Sequence, residues 1–197
     1  MGKTQKIILI LVLVIVAVVA VVLVVNNNKS AEKKEEKASS LVVNSDEDLT
    51  SIVEKLYDGK ELPNLDTNSI DVQDKDMVNA FTGLEDGSDL EYLVVSEPLM
   101  SSQAYSLVVA KVSNGNADKI AKKMADSVNP AKWICVSAEK IYATSSGDIV
   151  FLIMSSEEWA KPIYNDFKEM AGTVGKEYEK SAEDMNFDMT NTGITVQ

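Results

Sequence analysis

Apolar and polar positions divide the chain into four stretches. Residues 7–25 are an unbroken run of Ile, Leu, Val and Ala. A helix of that length spans about 28 Å, close to the thickness of the hydrocarbon layer of a bilayer. Polar residues dominate positions 26–44, periodic apolar positions return over 45–172, and the periodicity fades over 173–197. The pattern predicts a transmembrane anchor, a linker, one α+β domain and a flexible acidic tail, in that order.

The apolar run is typical of an uncleaved signal anchor. Val18-Val19-Ala20 has the small residues of a cleavage site, but the run continues to Val25 and no A-x-A-like sequence follows it. The alternative, a cleaved signal peptide, is therefore less well supported. The anchor region also has no cysteine to which a lipid could be attached.

Lysines flank the apolar run on both sides. Lys3 and Lys6 precede it, and more lysines lie between positions 29 and 37. A count of positive charges alone would place the later segment in the cytoplasm. However, a short basic start before a long apolar run is the usual layout of an export signal. We therefore expect residues 1–6 to be cytoplasmic and the domain to lie on the other side of a membrane that the chain crosses once.

Two helices are predicted at the start of the domain. Ser45 is a favourable N-cap, and the acids that follow it suit the positive end of a helix dipole. Gly59 is the expected C-cap. A second, shorter helix is predicted over 74–82, with Gly83 ending it. The apolar face of the first helix repeats at i, i+3, i+4 and i+7 and comprises Leu49, Ile52, Val53 and Leu56.

Strands and helices alternate in the rest of the domain. Helical spacing predicts a helix over 117–128 and another that begins at Ser155 or Ser156, in which Pro162 would cause a kink or mark the start of the main part. The order is two helices followed by ββαββα, which predicts an α+β domain with one antiparallel sheet of about four strands. The predicted strands are 90–95, 104–112, 139–144 and 149–154.

Charge and composition exclude several classes of function. The formal net charge is −12, and the chain contains neither histidine nor arginine. An acidic surface repels nucleic acid, whereas cations and basic partners remain open. Without histidine the usual general base and metal ligand are missing, so we predict no cofactor and favour a non-enzymatic protein. Cys135 is the only cysteine; it lies in an apolar run and is predicted to be buried.

Short motifs offer two candidate catalytic or binding sites. Ser-x-x-Lys occurs at Ser30/Lys33 and at Ser137/Lys140, but the companion motifs of serine acyltransferases are missing. Gly172 to Lys176 has the glycines and lysine of a phosphate loop, but the spacing is short and Glu177 stands where Ser or Thr should bind magnesium. Neither pattern is sufficient to predict activity.

Oxygen-rich positions offer two further candidates. Alternating oxygen ligands from Asp184 to Thr192 are spaced as in a calcium loop, although Met189 replaces the expected glycine and Thr195 the expected glutamate. Seven acids between positions 71 and 91 could instead supply the paired carboxylates of a glycoside hydrolase, or form a solvated acidic face. These acids are Asp71, Asp74, Asp76, Glu85, Asp86, Asp89 and Glu91.

Residues 45–170 resemble a known family. Four segments carry the resemblance: Leu56 to Pro63, Tyr92 to Val95 with Pro98 to Met100 after it, Ala104 to Val112 before a lysine-rich helix, and Ser146 to Asp148 before Ile149 to Met154. They are similar to a domain of unknown function in exported lipoproteins and membrane-anchored proteins of Firmicutes. The resemblance implies an extracytoplasmic α+β domain of the cell envelope, and it implies no activity and no site residues.

The sequence therefore favours a membrane-anchored extracytoplasmic binding or interaction module of the bacterial cell envelope. Its expected partners are the membrane, through residues 7–25, and an envelope protein or cell-wall component. The alternatives are a carboxylate-dependent cell-wall hydrolase and a cation-binding domain.

Overall fold

The computed structural model describes residues 41–100 and 102–181. No helix within those ranges is long and apolar enough to cross a membrane. The predicted cytoplasmic tail, the anchor over 7–25 and most of the linker lie outside the described residues, so they stay predictions.

A six-stranded antiparallel sheet forms the centre of the domain. The spatial order of the strands is β1-β2-β3-β5-β4-β6. Hairpins join β2 to β3 and β4 to β5, and the two hairpins meet where β3 pairs with β5. The strands are β1 (Leu65–Ser69), β2 (Leu90–Pro98), β3 (Tyr105–Val112), β4 (Lys140–Ser146), β5 (Ile149–Ser155) and β6 (Tyr178–Ser181).

Helices cover both faces of the sheet. Side chains of α1 and α4 pack into one apolar cluster, and those of α2 and α3 pack into a second cluster on the other face. The predicted ββα units therefore place their helices on opposite faces. The helices of the described residues are α1 (Asp46–Tyr57), α2 (Lys75–Thr82), α3 (Ala117–Ser127) and α4 (Glu157–Ala171).

Alternation along the central strands explains this double covering. In β5, Val150, Leu152 and Met154 belong to the α2/α3 side, whereas Phe151 and Ile153 belong to the α1/α4 side. Successive side chains of a strand point to opposite faces, so an uninterrupted apolar strand needs helices on both. Every residue of β5 is buried.

Local signals in the sequence set several helix ends. Ser45 caps α1 by accepting a hydrogen bond from the Asp48 backbone N–H at 3.3 Å. Asp74 caps α2, and Gly83 ends α2 in the left-handed conformation at φ 69°. Pro162 lies inside α4, which already begins at Glu157, so it does not mark the start of the helix.

The sheet is wider than the predicted four strands. The prediction missed β1 and β6, which are the two edge strands. The domain also extends past both predicted boundaries: Val43 is buried although it was assigned to the linker, and β6 lies inside the predicted flexible tail. The remainder of that tail, 182–197, is outside the described residues.

A junction of hydrogen bonds to Asp118 and Ser145 holds the segment between α4 and β6 in place. The carboxylate of Asp118, in the first turn of α3, accepts hydrogen bonds from the Ser145 hydroxyl and from the Lys176 backbone N–H. Gly175 donates its N–H to the Ser145 carbonyl at 2.8 Å. A Cβ added at Gly175 would lie 2.0 Å from the Asp118 carboxylate and 2.4 Å from the Ser145 hydroxyl.

The first prediction concerns this junction. Gly175→Ala should lower the free energy of unfolding by about 1–3 kcal/mol, because the new methyl group must push Asp118 away from its two donors. Lys176→Ala is the matched control, since it keeps the backbone N–H that Asp118 accepts. Urea unfolding followed by circular dichroism measures both. Equal stability of the two variants would contradict the proposed junction.

The second prediction concerns pH and the attachment of β6. A hydrogen bond from Lys168 lowers the pKa of Glu177, and hydrogen bonds from Lys122 and Lys180 lower the pKa of Asp126. A carboxyl group with a lowered pKa stabilises the fold above its unfolded pKa of about 4, and this contribution is lost as pH falls through the folded value. Hydrogen exchange over 176–181 should therefore lose protection between about pH 4.5 and 3 before the β3–β5 pair does. Simultaneous loss in both segments would contradict the prediction.

Candidate functional site

One end of the sheet carries two clefts on opposite faces. At this end β2 finishes, β3 and β4 begin and β5 finishes, because Tyr105 and Lys140 both pair with Ser155. We call it the Tyr105 end. The cleft on the α2/α3 side has a volume of about 560 Å³ and surrounds Lys132. The cleft on the α1/α4 side has a volume of about 520 Å³ and contains Trp159.

Lys132 is the central residue of the first cleft, the Lys132 cleft. Its ammonium forms an ion pair with the Glu97 carboxylate and donates a hydrogen bond to the Ser106 hydroxyl at 3.3 Å. It also lies 5.0 Å from the ring centroid of Phe81 and 5.4 Å from that of Trp133. The side chains of Lys132 and Glu97 are 16% and 25% exposed. The Lys132 ammonium therefore lies near two aromatic rings in the cleft, and its charge is paired with that of Glu97.

Burial affects the charge on this lysine. Desolvation lowers the pKa of Lys132, and the attraction and hydrogen bond of Glu97 oppose that shift. A buried ion pair contributes little net stability, because the cost of removing both charges from water offsets their attraction. A residue in a cleft whose pKa is shifted by burial and by a charge partner is a candidate functional residue.

The loop that carries Lys132 is held at both ends. Pro130 accepts a hydrogen bond from the Ala138 N–H at 2.8 Å, and Ser155 accepts one from the Glu139 N–H at 2.9 Å. Between these ties, Cys135 has a φ of 63°, in the left-handed region that non-glycine residues rarely adopt. Backbone strain of this kind persists only where surrounding contacts impose it, and it concentrates at functional sites.

Cys135 corrects one prediction. The thiol is exposed, although its apolar neighbours in sequence predicted burial. The prediction was wrong because this apolar run is a loop and not a strand: the left-handed turn at Cys135 breaks the extended conformation, and Ile134 is 69% exposed. Trp133 alone of its neighbours packs against the core of the α2/α3 face.

Four large apolar side chains that lie close in sequence to residues of the Lys132 cleft are exposed. Leu99 follows Glu97 by two residues and Ile134 follows Lys132 by two, so the Cα of each lies within roughly 7 Å of the Cα of one member of the ion pair. Met77 precedes Phe81 by one helical turn on α2. We call the four exposed residues the apolar patch; they are Met77, Leu99, Met100 and Ile134, with exposures of 40%, 62%, 66% and 69%.

The second cleft, the Trp159 cleft, lies beside a small aromatic and hydroxyl network. The Tyr105 hydroxyl donates to the Tyr57 hydroxyl at 3.1 Å, and the Tyr105 ring meets Trp159 edge-on at 6.4 Å. Burial raises the pKa of Tyr57 to about 12. Burial also raises the pKa of Tyr105, so both hydroxyls are neutral at physiological pH, and the Tyr105 ring contacts Trp159 at the edge of the cleft.

The structure gives structural roles to the short sequence motifs that it describes. Lys140 begins β4 and bonds to the Glu179 carboxylate at 3.3 Å, which raises the pKa of Lys140. A lysine that activates a serine needs the opposite shift, so the Ser137/Lys140 pair has no support as a catalytic dyad. Gly172 to Lys176 connects α4 to β6 and is bound to Ser145 and Asp118, not open to a phosphate. Ser30/Lys33 lies outside the described residues.

Several of the seven acids between positions 71 and 91 also have structural roles. Asp71 and Asp86 accept backbone N–H groups two residues ahead, and Asp89 accepts from the Asn114 side chain. Asp74 caps α2, and Glu91 pairs with Lys111 at 3.0 Å. Within the described ranges no group of three or more carboxylate or thiol side chains could hold a metal ion. The candidate calcium loop from Asp184 to Thr192 lies outside those ranges.

The third prediction tests the Lys132–Glu97 pair. Glu97→Gln should lower the free energy of unfolding by about 1–3 kcal/mol, because it leaves a largely buried ammonium without a counter-charge. Replacing both residues, as Glu97→Gln with Lys132→Met, should recover most of that loss. Urea unfolding of the two single variants and the double variant measures the coupling. Additive losses would show that the two side chains are not energetically paired.

Sequence reasoning did not identify the residues of this site. Phe81 and Lys132 are separated by the whole of β2, β3 and α3, and they come together because their segments pack against the same core cluster on one face of the sheet. Leu99 and Met100 followed a predicted strand, but nothing in the sequence distinguished them from core residues.

Comparison with protein-family models, with curated proteins and with solved structures finds no match. The family resemblance based on the sequence therefore stays a prediction.

Proposed function

We propose that this chain is a membrane-anchored, extracytoplasmic interaction module of a bacterial cell envelope, and that it binds a partner protein through the apolar patch and the Lys132 cleft. The apolar run over 7–25 supports the anchored part of the proposal, and the resemblance of residues 45–170 to exported proteins supports the location.

The observation that carries the proposal is the composition of this surface. Protein interfaces are enriched in aromatic residues and methionine at their centre, with few unpaired charges. The patch supplies Met77 and Met100, the cleft supplies the rings of Phe81 and Trp133, and the charges of Lys132 and Glu97 already neutralise each other. Methionine side chains are flexible enough to adapt to a partner surface.

The ordered loop adds preorganisation. The hydrogen bonds at both ends of the Lys132 loop fix Ile134 outside the core before any partner arrives. A surface that is already rigid loses less conformational entropy on binding. Exposing Ile134, Leu99 and Met100 to water has a cost that a partner would remove by covering them.

A hydrolase is less well supported than an interaction module. Paired catalytic carboxylates need one member with a raised pKa. Among the carboxyl groups whose pKa is shifted in the described ranges, the direction is downward; these are Glu47, Asp86, Asp126, Glu157 and Glu177.

The fourth prediction tests the proposed surface in cells. A photo-crosslinking amino acid at Ile134 should give a discrete adduct of higher mass, because the partner covers this side chain. The same amino acid at Lys119, an exposed position near the opposite end of β3, should give none. Immunoblotting of the full-length chain detects the adducts, and mass spectrometry identifies the partner.

Two outcomes would contradict the proposal. Adducts of equal yield from Ile134 and from Lys119 would indicate non-specific contact. Failure of both Ile134 and Met100 to give an adduct would show that no partner covers the patch. A charged substitution, Ile134→Glu, should abolish the adduct formed from Met100 while leaving the midpoint of unfolding unchanged, since the side chain is exposed.

A further inference from the structure

The Trp159 cleft carries negative charge that the fold does not neutralise. Glu61 and Glu158 both line it, both are exposed, and neither forms an ion pair with any residue that the structure describes. Lys60 also borders the cleft, but its ammonium is paired with Asp166 on α4. The cleft therefore presents two carboxylates without a counter-charge.

Apart from the two glutamates, Lys60 and Gln103, the residues that line the cleft are apolar. Trp159 is fixed by its edge-on contact with Tyr105, and it packs against the core of the α1/α4 face. Pro63 and Pro162 contribute rings whose backbone has little freedom. The N-terminus of α4, where Glu158 lies, carries roughly half a positive charge from the helix dipole. This partial charge is smaller than the combined negative charge of the two glutamates.

Apolar walls beside two carboxylates match one kind of side chain. Lysine and arginine place an apolar stem along a hydrophobic surface and a cation at its edge, and tryptophan is the best aromatic partner for such a cation. The formal net charge of −12 would also attract a basic partner and accelerate its association.

We propose that the Trp159 cleft receives a lysine or arginine side chain from a basic segment of a partner polypeptide. This rests on the proposed function, because the loop before β3 joins the two surfaces: Leu99 and Met100 belong to the apolar patch, and Gln103 lines the Trp159 cleft. A single partner lying across the Tyr105 end would contact both.

A fluorescence titration tests this assignment. The chain has two tryptophans, so Trp133→Phe leaves Trp159 as the only tryptophan reporter in the full-length protein. The probe is a capped hexapeptide of alternating lysine and proline, added to the protein in a neutral detergent. The fluorescence emission of Trp159 should change as peptide is added and reach a plateau. The same peptide with every lysine Nε-acetylated should bind at least about fivefold more weakly.

Charge-matched variants locate the site. Glu61→Gln with Glu158→Gln should weaken binding of the hexapeptide by about five- to tenfold. Glu85→Gln with Glu169→Gln removes the same net charge from exposed acids outside the cleft, and should change binding by less than about twofold.

Several results would overturn the assignment. The assignment fails if the lysine peptide does not bind, if the acetylated peptide binds equally well, or if the two double variants lose affinity equally. Equally tight binding of spermine would also overturn the assignment, because it would indicate a small amine as the ligand in place of a polypeptide. The crosslink from Ile134 tests the proposed function separately. If that crosslink forms but the peptide does not bind, only the proposal of a basic segment is rejected, and the proposed function stands.

Discussion

The pairing of β3 with β5 is the constraint on which the rest of the structure depends. Both strands are apolar along almost their whole length, so each face of the sheet must be covered to keep these residues from water. The β3–β5 pair joins two hairpins whose helices then pack on opposite faces, and α1 and α2 complete the two layers. Burial of each large apolar side chain contributes about 1.5–3 kcal/mol, which makes this centre the main source of stability.

The candidate site follows from that arrangement. Because the strands are antiparallel, the loops after β2, before β4 and after β5 converge at the Tyr105 end, although they are far apart in sequence. The rigid sheet positions Glu97 and Ser106 on neighbouring strands, and the loop before β4 brings Lys132 to both. A stable scaffold can therefore hold a partly buried charged pair and a strained residue, Cys135, that contribute little to stability themselves.

The sequence predicted the four central strands and the four helices because each contains a strong periodic signal. Leu49 to Leu56 repeats at helical spacing, and Ile149 to Met154 is continuously apolar. The edge strands lack such signals. Residues 65–69 read Leu-Asp-Thr-Asn-Ser, and only pairing with β2 makes them a strand. The site escaped prediction for a related reason: the Lys132–Glu97 pair joins residues from distant elements, and Cys135 leaves the core through a single left-handed turn.

The two edge strands limit self-association. β1 and β6 have five and four residues, and both expose charged side chains, Asp66 on one and Glu179 on the other. A short, charged border is a poor template for a second sheet, whereas the long apolar strands inside would be a good one. Extension of the sheet by a second copy of the chain would therefore have to begin at the borders that favour it least, because the long apolar strands are hydrogen-bonded on both sides.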